Sequence, residues 1–155
     1  MLAQLTDSKA RDFSDQIGSI FKGVPHIPKS WVKFLVKIAP RLAGLGGLTN
    51  VLSGFSSVMG GGAFNSMMYH YAGVGRNYFL INGIFSLLLG VLLLMAFSPL
   101  KAKKMDGWMY LFWTQILGVV QTVVLLAYFG GGWLASVIGI VLGLYILFEI
   151  KPAYK

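Results

Sequence analysis

Long uncharged stretches alternate with short charged zones along this chain. Residues 42–100 and 107–148 carry no Asp, Glu, Lys or Arg apart from Arg76, and a triple glycine, at 60–62 and at 130–132, divides each stretch into two apolar segments. Each segment approaches the roughly 20 residues that an α-helix needs to cross a hydrocarbon core about 30 Å thick. The pattern predicts an all-α protein, a membrane-spanning four-helix bundle with an N-terminal amphipathic interfacial helix and with spans at about 42–59, 78–97, 108–129 and 133–148.

An amphipathic helix is predicted ahead of the spans, over about 6–22. Apolar residues recur there at the spacing of one helical face, and Gly23 followed by Pro25 is a stop signal. Its Lys and Arg residues are matched by an equal number of Asp residues, so apolar contact would dominate its attraction to lipid. We therefore divide the chain into a cytoplasmic amphipathic arm, 1–28, and a four-transmembrane-helix domain, 29–155.

The apolar face of the arm has two interpretations. It lies flat in the membrane interface, as amphipathic helices commonly do, or it docks a partner protein. The candidate partner contacts on this face are Phe13, Ile17, Ile20 and Phe21.

The positions of the basic residues predict the orientation. With four spans, the N-terminus, the 99–107 loop and the C-terminus lie on one side, and every Lys and Arg except Arg76 is there. The positive-inside rule makes that side cytoplasmic. Arg76, alone on the outer side, is a further candidate partner contact. The candidate contacts with anionic lipid headgroups are Lys29, Lys33, Lys37, Arg41, Lys101, Lys103 and Lys104.

Composition agrees with a membrane protein. The 155 residues are 56% hydrophobic and 12% charged, with a mean hydropathy of +0.71, against roughly 25% charged residues in soluble domains. The net charge of +8 would suggest nucleic acid as the partner of a soluble protein. Because the basic residues flank apolar segments, we expect lipid and no nucleic acid. The absence of cysteine excludes disulfides and thiol chemistry.

Small and neutral polar residues recur every four positions within the spans. Such stripes let helix backbones approach and let amide side chains bridge neighbours. Three interpretations stay open: packing inside one bundle, a polar pathway lined by Asn50, Asn82, Gln115 and Gln121, or an interface between molecules. The helix-packing candidates are Gly46, Asn50, Gly54, Asn82, Ser86, Gly90, Gly118, Gln121, Ala135, Gly139 and Gly143.

Residues that could perform chemistry are scarce. The spans hold no Asp, Glu, Lys or Arg apart from Glu149 at one edge, and this argues against ion-coupled transport. We interpret Glu149 as a solvated charge in the headgroup layer. His26 and His70 fall on opposite sides of the predicted membrane, so they cannot share a metal ion. No catalytic triad or carboxylate pair is present, and we assign no catalytic residue, no metal and no cofactor.

The second helical hairpin, from about residue 107 onwards, resembles a known group. The residues that carry the resemblance are Gly107–Trp108, Leu111–Phe112–Trp113, Ile138–Gly139, Gly143, Tyr145, Leu147–Phe148, Ile150–Lys151 and Tyr154–Lys155. They are similar to small bacterial four-helix integral membrane proteins of uncharacterised function. The resemblance covers about the last third of the chain and implies a bacterial inner-membrane protein. It supplies no active residues.

The leading functional hypothesis is a non-enzymatic structural or accessory subunit of a larger membrane complex. Its partners would be the bilayer with its anionic lipids, and other membrane protein subunits or further copies of the chain. The alternatives are an oligomeric channel or transporter for a small solute, and a membrane organiser that binds anionic lipid. In each case we expect a multi-pass protein of the bacterial inner membrane with both termini in the cytoplasm.

Overall fold

The computed structural model describes residues 5–59, 76–129 and 133–155, and α-helix dominates all three ranges. Short 3-10 turns at Phe21–Gly23 and Lys151–Ala153 follow the first and last helices, and these ranges contain no strand. The all-α class is therefore confirmed. The five α-helices are α1 (Ser8–Ile20), α2 (Lys29–Val58), α3 (Arg76–Lys101), α4 (Met105–Phe129) and α5 (Trp133–Ile150).

Helix α1 begins and ends where the sequence predicts an amphipathic helix. Asp7 is its N-cap, and the Asp7 carboxylate accepts a 2.9 Å hydrogen bond from the backbone N–H of Ala10. This bond satisfies one of the N–H groups that a helix leaves unpaired in its first turn. After the turn at Phe21–Gly23 the chain is extended, and Pro28 precedes the first residue of α2.

Helix α2 is one continuous helix of 30 residues that passes through Pro40. It contains the cationic segment and the predicted span in a single element. Pro40 is buried, on the same side as Val36, Ala43 and Gly47. The charged half of α2 is therefore positioned by the same packing that holds its apolar half.

The long helices pack in chain order as antiparallel neighbours. Helix α2 contacts α3 most extensively, α3 contacts α4, α4 contacts α5, and α2 meets α5 over a much smaller area. The row is therefore incompletely closed between α2 and α5.

The most buried side chains lie at the end of the bundle where the α3–α4 turn and the C-terminal segment meet. Trp108, Met109 and Phe112 of α4 are fully buried there. Trp108 stacks on Phe112 with ring centroids 5.6 Å apart, and its indole N–H donates a 2.7 Å hydrogen bond to the carbonyl of Leu147. Because a buried indole needs a partner for its N–H, this bond fixes the register between α4 and α5.

Two of the described helices are long and apolar enough to cross a membrane, by length and composition. They are Arg76–Lys101 and Met105–Ala127, which coincide with α3 and α4. The apolar half of α2 is diluted by glycine, serine, threonine and asparagine, and the first side chains of α5 lie outside the described ones. The predicted spans at 78–97 and 108–129 thus fall on such helices, and the four-span bundle stays a prediction.

Candidate functional site

Helix α1 and the segment after it lie against the ends of α4 and α5. The ring of Phe13 contacts Phe112 edge-on at 6.0 Å and stacks on Trp113 at 6.1 Å between centroids. Phe21 stacks on Phe148 at 5.5 Å. We call residues 5–27 the cap, because they cover one end of the bundle through these aromatic contacts.

A lysine from beyond α5 joins the cap to the aromatic core. The ammonium of Lys151 donates hydrogen bonds to the Ser14 hydroxyl at 3.1 Å and to the Asp15 carboxylate at 2.5 Å. It also lies 4.5 Å from the centroid of the Trp108 ring. An ammonium held over an indole face and paired with a carboxylate is stabilised by both contacts. Lys151 therefore has a structural role, because it joins the cap to the aromatic core.

Glu149 is held by the cap rather than solvated, which corrects the expectation from the sequence. One carboxylate oxygen lies 2.7 Å from the Nδ1 atom of His26, and the other accepts the backbone N–H of Ile27 at 3.1 Å. The Glu149 side chain is only 11% exposed. The hydroxyl of Tyr145 donates to the carbonyl oxygen of Pro25 on the same segment. Helix α5 thus fastens the connection between α1 and α2.

The C-terminal segment pairs with the α3–α4 turn through its backbone. The N–H of Lys155 donates to the carbonyl of Lys103 at 3.1 Å, and the carbonyl of Lys155 accepts the N–H of Met105 at 2.8 Å. The adjacent Tyr154 is 3% exposed, and its hydroxyl has no hydrogen-bond partner among the described residues. Burial raises the pKa of Tyr154, because the phenolate is poorly solvated there.

The amide side chains of the predicted polar pathway do not converge. Gln121 donates a 2.9 Å hydrogen bond to Asn82, between α4 and α3. Asn50 donates instead to the carbonyl of Gly46 in its own helix, at 2.7 Å. The amide of Gln115 lies over Gly143 of α5, within about 3 Å of where a Cβ would stand. The structure therefore brings together only Asn82 and Gln121 of the four.

Glycines set the close approach between α2 and α3. A Cβ added at Gly54 would lie 2.8 Å from the carbonyl oxygen of Gly83, and one added at Gly90 would lie 2.9 Å from that of Gly47. Gly54 and Gly90 are predicted packing residues that lie in this contact. Gly47 and Gly83 were not predicted as packing residues. Gly47 precedes Gly54 by seven positions on α2, and Gly83 precedes Gly90 by seven positions on α3, a spacing that returns to nearly the same helical face.

Three of the glycine packing candidates lie in more open surroundings. A Cβ at Gly46 would make an ordinary 3.6 Å contact with Leu93, and Cβ atoms at Gly118 and Gly139 would meet nothing within 4 Å. Ser86 is half-buried, and the Ala135 side chain lies outside the described ones. The close-packing role of these positions stays a prediction.

Part of the predicted partner-docking face makes contacts inside the chain. Phe13 and Phe21 make the cap contacts, and Ile17 packs against the aromatic core. Ile20 is 74% exposed, and Arg76 is exposed at the first residue of α3. Every candidate headgroup contact is exposed: Lys29, Lys33, Lys37, Arg41, Lys101, Lys103 and Lys104.

Each of the four long helices exposes an apolar face. On α2 the exposed face changes from the cationic residues Lys37 and Arg41 to leucines, phenylalanine and methionine within one turn. The exposed large apolar residues include Leu45, Leu48, Leu52 and Phe55 of α2 and Met59 at its C-cap, Ile84, Leu88 and Val91 of α3, Val120, Val123 and Leu126 of α4, and Ile138, Val141 and Leu142 of α5.

An apolar cleft of about 260 Å³ opens where α2 and α5 fail to close the row. Leu42 and Ala43 line one wall, Ile146 and Leu147 line the other, and Gln115 contributes the amide among otherwise apolar and glycine residues. The described residues contain no group of three or more His, Asp or Glu side chains that could hold a metal ion. His70 lies outside the described residues.

No protein-family model, curated protein or solved structure matches this chain. The class that the structure defines is therefore an all-α protein with two helices able, by length and composition, to cross a membrane.

Proposed function

We propose that this chain is a non-enzymatic, multi-pass integral membrane protein that serves as a structural or accessory subunit of a larger membrane complex. The observation that carries the proposal is the apolar face that each of α2, α3, α4 and α5 exposes. Soluble monomers rarely expose contiguous apolar patches larger than a few hundred Å². A bilayer accepts such faces because its tails are as apolar as the side chains.

The distribution of charge supports the orientation. Arg41 is the last charged residue of α2, and the exposed residues beyond it are mainly apolar. The cap, the α3–α4 turn and the C-terminal segment, which hold most of the other charges, lie together at the end from which α2 begins. Under the positive-inside rule this end faces the cytoplasm of a bacterial cell, and α2 to α5 supply the four spans.

An accessory role agrees with what the polar groups do. Asn82 and Gln121 bond to each other, and the ionisable groups Glu149 and Lys151 hold the cap. Gly118 and Gly139 expose backbone with free space around it, and small residues of this kind let a second helix approach closely. These features favour a protein that packs against other membrane helices.

Anionic-lipid organisation is a second candidate, favoured by the exposure of all seven predicted headgroup cations. Each Lys or Arg near an anionic membrane surface contributes on the order of 1 kcal/mol to membrane attraction. The channel hypothesis gains less support, because two of its four amides are already bonded to each other.

Two measurements test the proposal in sequence. Alkaline carbonate extraction of native membranes should leave the chain in the pellet, and its release into the supernatant would exclude the spans. Crosslinking in native membranes, followed by gentle solubilisation, should then retain a defined partner or further copies. A chain that resists carbonate but purifies alone and uncrosslinked would refute the accessory role and leave the membrane placement intact.

A further inference from the structure

An open cavity of about 370 Å³ lies beside the turn between α3 and α4. We propose that it binds the phosphate group of a membrane phospholipid, an inference that rests on the proposed membrane placement. The cavity combines an apolar side with hydrogen-bonding groups, as a lipid at the boundary between tails and headgroups requires. Its lining residues are Met95, Ser98, Pro99, Ala102, Lys104, Asp106 and Tyr110.

Three polar groups of the cavity have hydrogen-bonding capacity that the rest of the protein does not use. The Lys104 ammonium and the hydroxyls of Ser98 and Tyr110 have no side-chain hydrogen-bond partner among the described residues. All three groups are donors, and phosphate oxygens accept strongly from such groups. The unused donors therefore match an anionic oxygen ligand.

Asp106 is the one acidic group of the cavity, and a cation partly offsets its charge. The guanidinium of Arg11 lies 3.7 Å from the Asp106 carboxylate, and both side chains are about half exposed. Lys101 and Lys103 are exposed in the same turn as Lys104. The surroundings of the cavity thus remain positive, which favours an anion.

An apolar stripe on α3 leads into the cavity, and it favours a lipid over a free phosphate ion. Ile84, Leu88 and Val91 are exposed and share one helical face with Met95, which lines the cavity. The rise from Ile84 to Met95 is about 16 Å, close to the ~15 Å hydrocarbon layer of one leaflet. A phosphate seated beside Lys104 would therefore leave its acyl chain along this stripe.

A defined binding site and a diffuse attraction of lipid to the basic turn require different lysine residues. Lys101 and Lys104 are both exposed in this turn, but only Lys104 lines the cavity. Diffuse attraction predicts equal effects of removing either charge. A defined site predicts that removing Lys104 weakens lipid binding more than removing Lys101 does, and that removing the Tyr110 hydroxyl also weakens it.

The test uses the full chain in detergent, with phosphatidylglycerol added and the lipid-bound fraction measured by native mass spectrometry. Lys104→Gln should weaken lipid binding roughly tenfold, since it removes a charge-assisted hydrogen bond. Tyr110→Phe should weaken it about threefold, since it removes one neutral hydrogen bond. Lys101→Gln is the matched comparison, because it removes an exposed charge that does not line the cavity, and it should weaken binding only about two- to threefold, well short of the effect of Lys104→Gln.

Equal weakening by Lys101→Gln and Lys104→Gln would overturn the site in favour of diffuse attraction. Displacement of the lipid by an equal concentration of inorganic phosphate would overturn its assignment to a lipid. The parent proposal is separable: a wild-type chain that binds no lipid yet resists carbonate extraction refutes this site alone. Release of the chain by carbonate refutes the membrane placement itself.

Discussion

The side-chain amide of Gln121 donates a 2.9 Å hydrogen bond to the amide oxygen of Asn82, which joins α4 to α3. Both residues are half-buried between two helices that are long and apolar enough to cross a membrane. Such a bond stabilises helix pairs because each amide would otherwise lack a partner in hydrocarbon, and its measured worth is roughly 0.6–2 kcal/mol.

Replacing Gln121 with Leu should therefore lower the free energy of unfolding in detergent micelles by about 1 kcal/mol. Adding Asn82→Leu should restore part of the loss, because the double variant leaves no amide unpaired. Thermal unfolding followed by circular dichroism measures both effects. Strictly additive losses from the two substitutions would show that the amides contribute independently.

The glycine contact between α2 and α3 predicts position-specific effects of a methyl group. Gly54→Ala would place a Cβ 2.8 Å from the backbone oxygen of Gly83, so the helices must separate. We expect a loss of about 1–3 kcal/mol in the free energy of unfolding. Gly118→Ala adds the same methyl group where nothing lies within 4 Å, and its stability should equal or exceed that of the wild type. Equal losses at both positions would contradict this packing.

The contacts of Glu149 predict how readily a protease cleaves the segment that joins α1 to α2. Glu149→Ala removes the acceptor of the Ile27 N–H and the partner of His26. The segment 24–28 should then be cleaved faster in limited proteolysis, since its backbone is released from α5. Asp12→Ala removes an exposed carboxylate elsewhere in the cap and serves as the control. Unchanged cleavage in Glu149→Ala would show that the remaining contacts, such as the hydrogen bond from Tyr145 to Pro25, are sufficient to hold the segment.

The burial of Tyr154 predicts how the stability of the protein changes at alkaline pH. Burial raises its pKa in the folded chain above the unfolded value near 10. The folded state therefore binds the Tyr154 proton more tightly than the unfolded state does. Below about pH 10 this group does not lower the free energy of unfolding, and above that pH the free energy of unfolding falls as the unfolded chain loses the proton. In Tyr154→Phe, stability should decline less between about pH 10 and 12, and stability at neutral pH should be unchanged or slightly higher because no hydrogen bond is lost. Urea unfolding across that range measures both, and identical pH profiles would contradict the role of Tyr154.

Much of the helical layout could be predicted from the sequence, because it depends on local properties. Gly23 and Pro25 follow the end of α1, and the charged zone at 101–106 separates α3 from α4, as the sequence predicts. Pro40 and Pro99, in contrast, lie inside α2 and α3. Less of the candidate site could be predicted from the sequence. The recurrence of small residues at every fourth position predicts Gly54 and Gly90 but not Gly47 and Gly83. The face of α2 that meets α3 depends on where the neighbouring helix lies, which the sequence of α2 does not specify.

The sequence by itself determined which segments are helical, which are apolar and where the charges lie, since propensity and hydropathy are properties of a segment. Only the tertiary structure decided what those charges do. Glu149 and Lys151 look like solvated terminal charges in the sequence, yet they contact the cap at residues more than one hundred positions away. Such pairings follow from how the helices pack against one another, and the residue pattern of a single segment does not predict them.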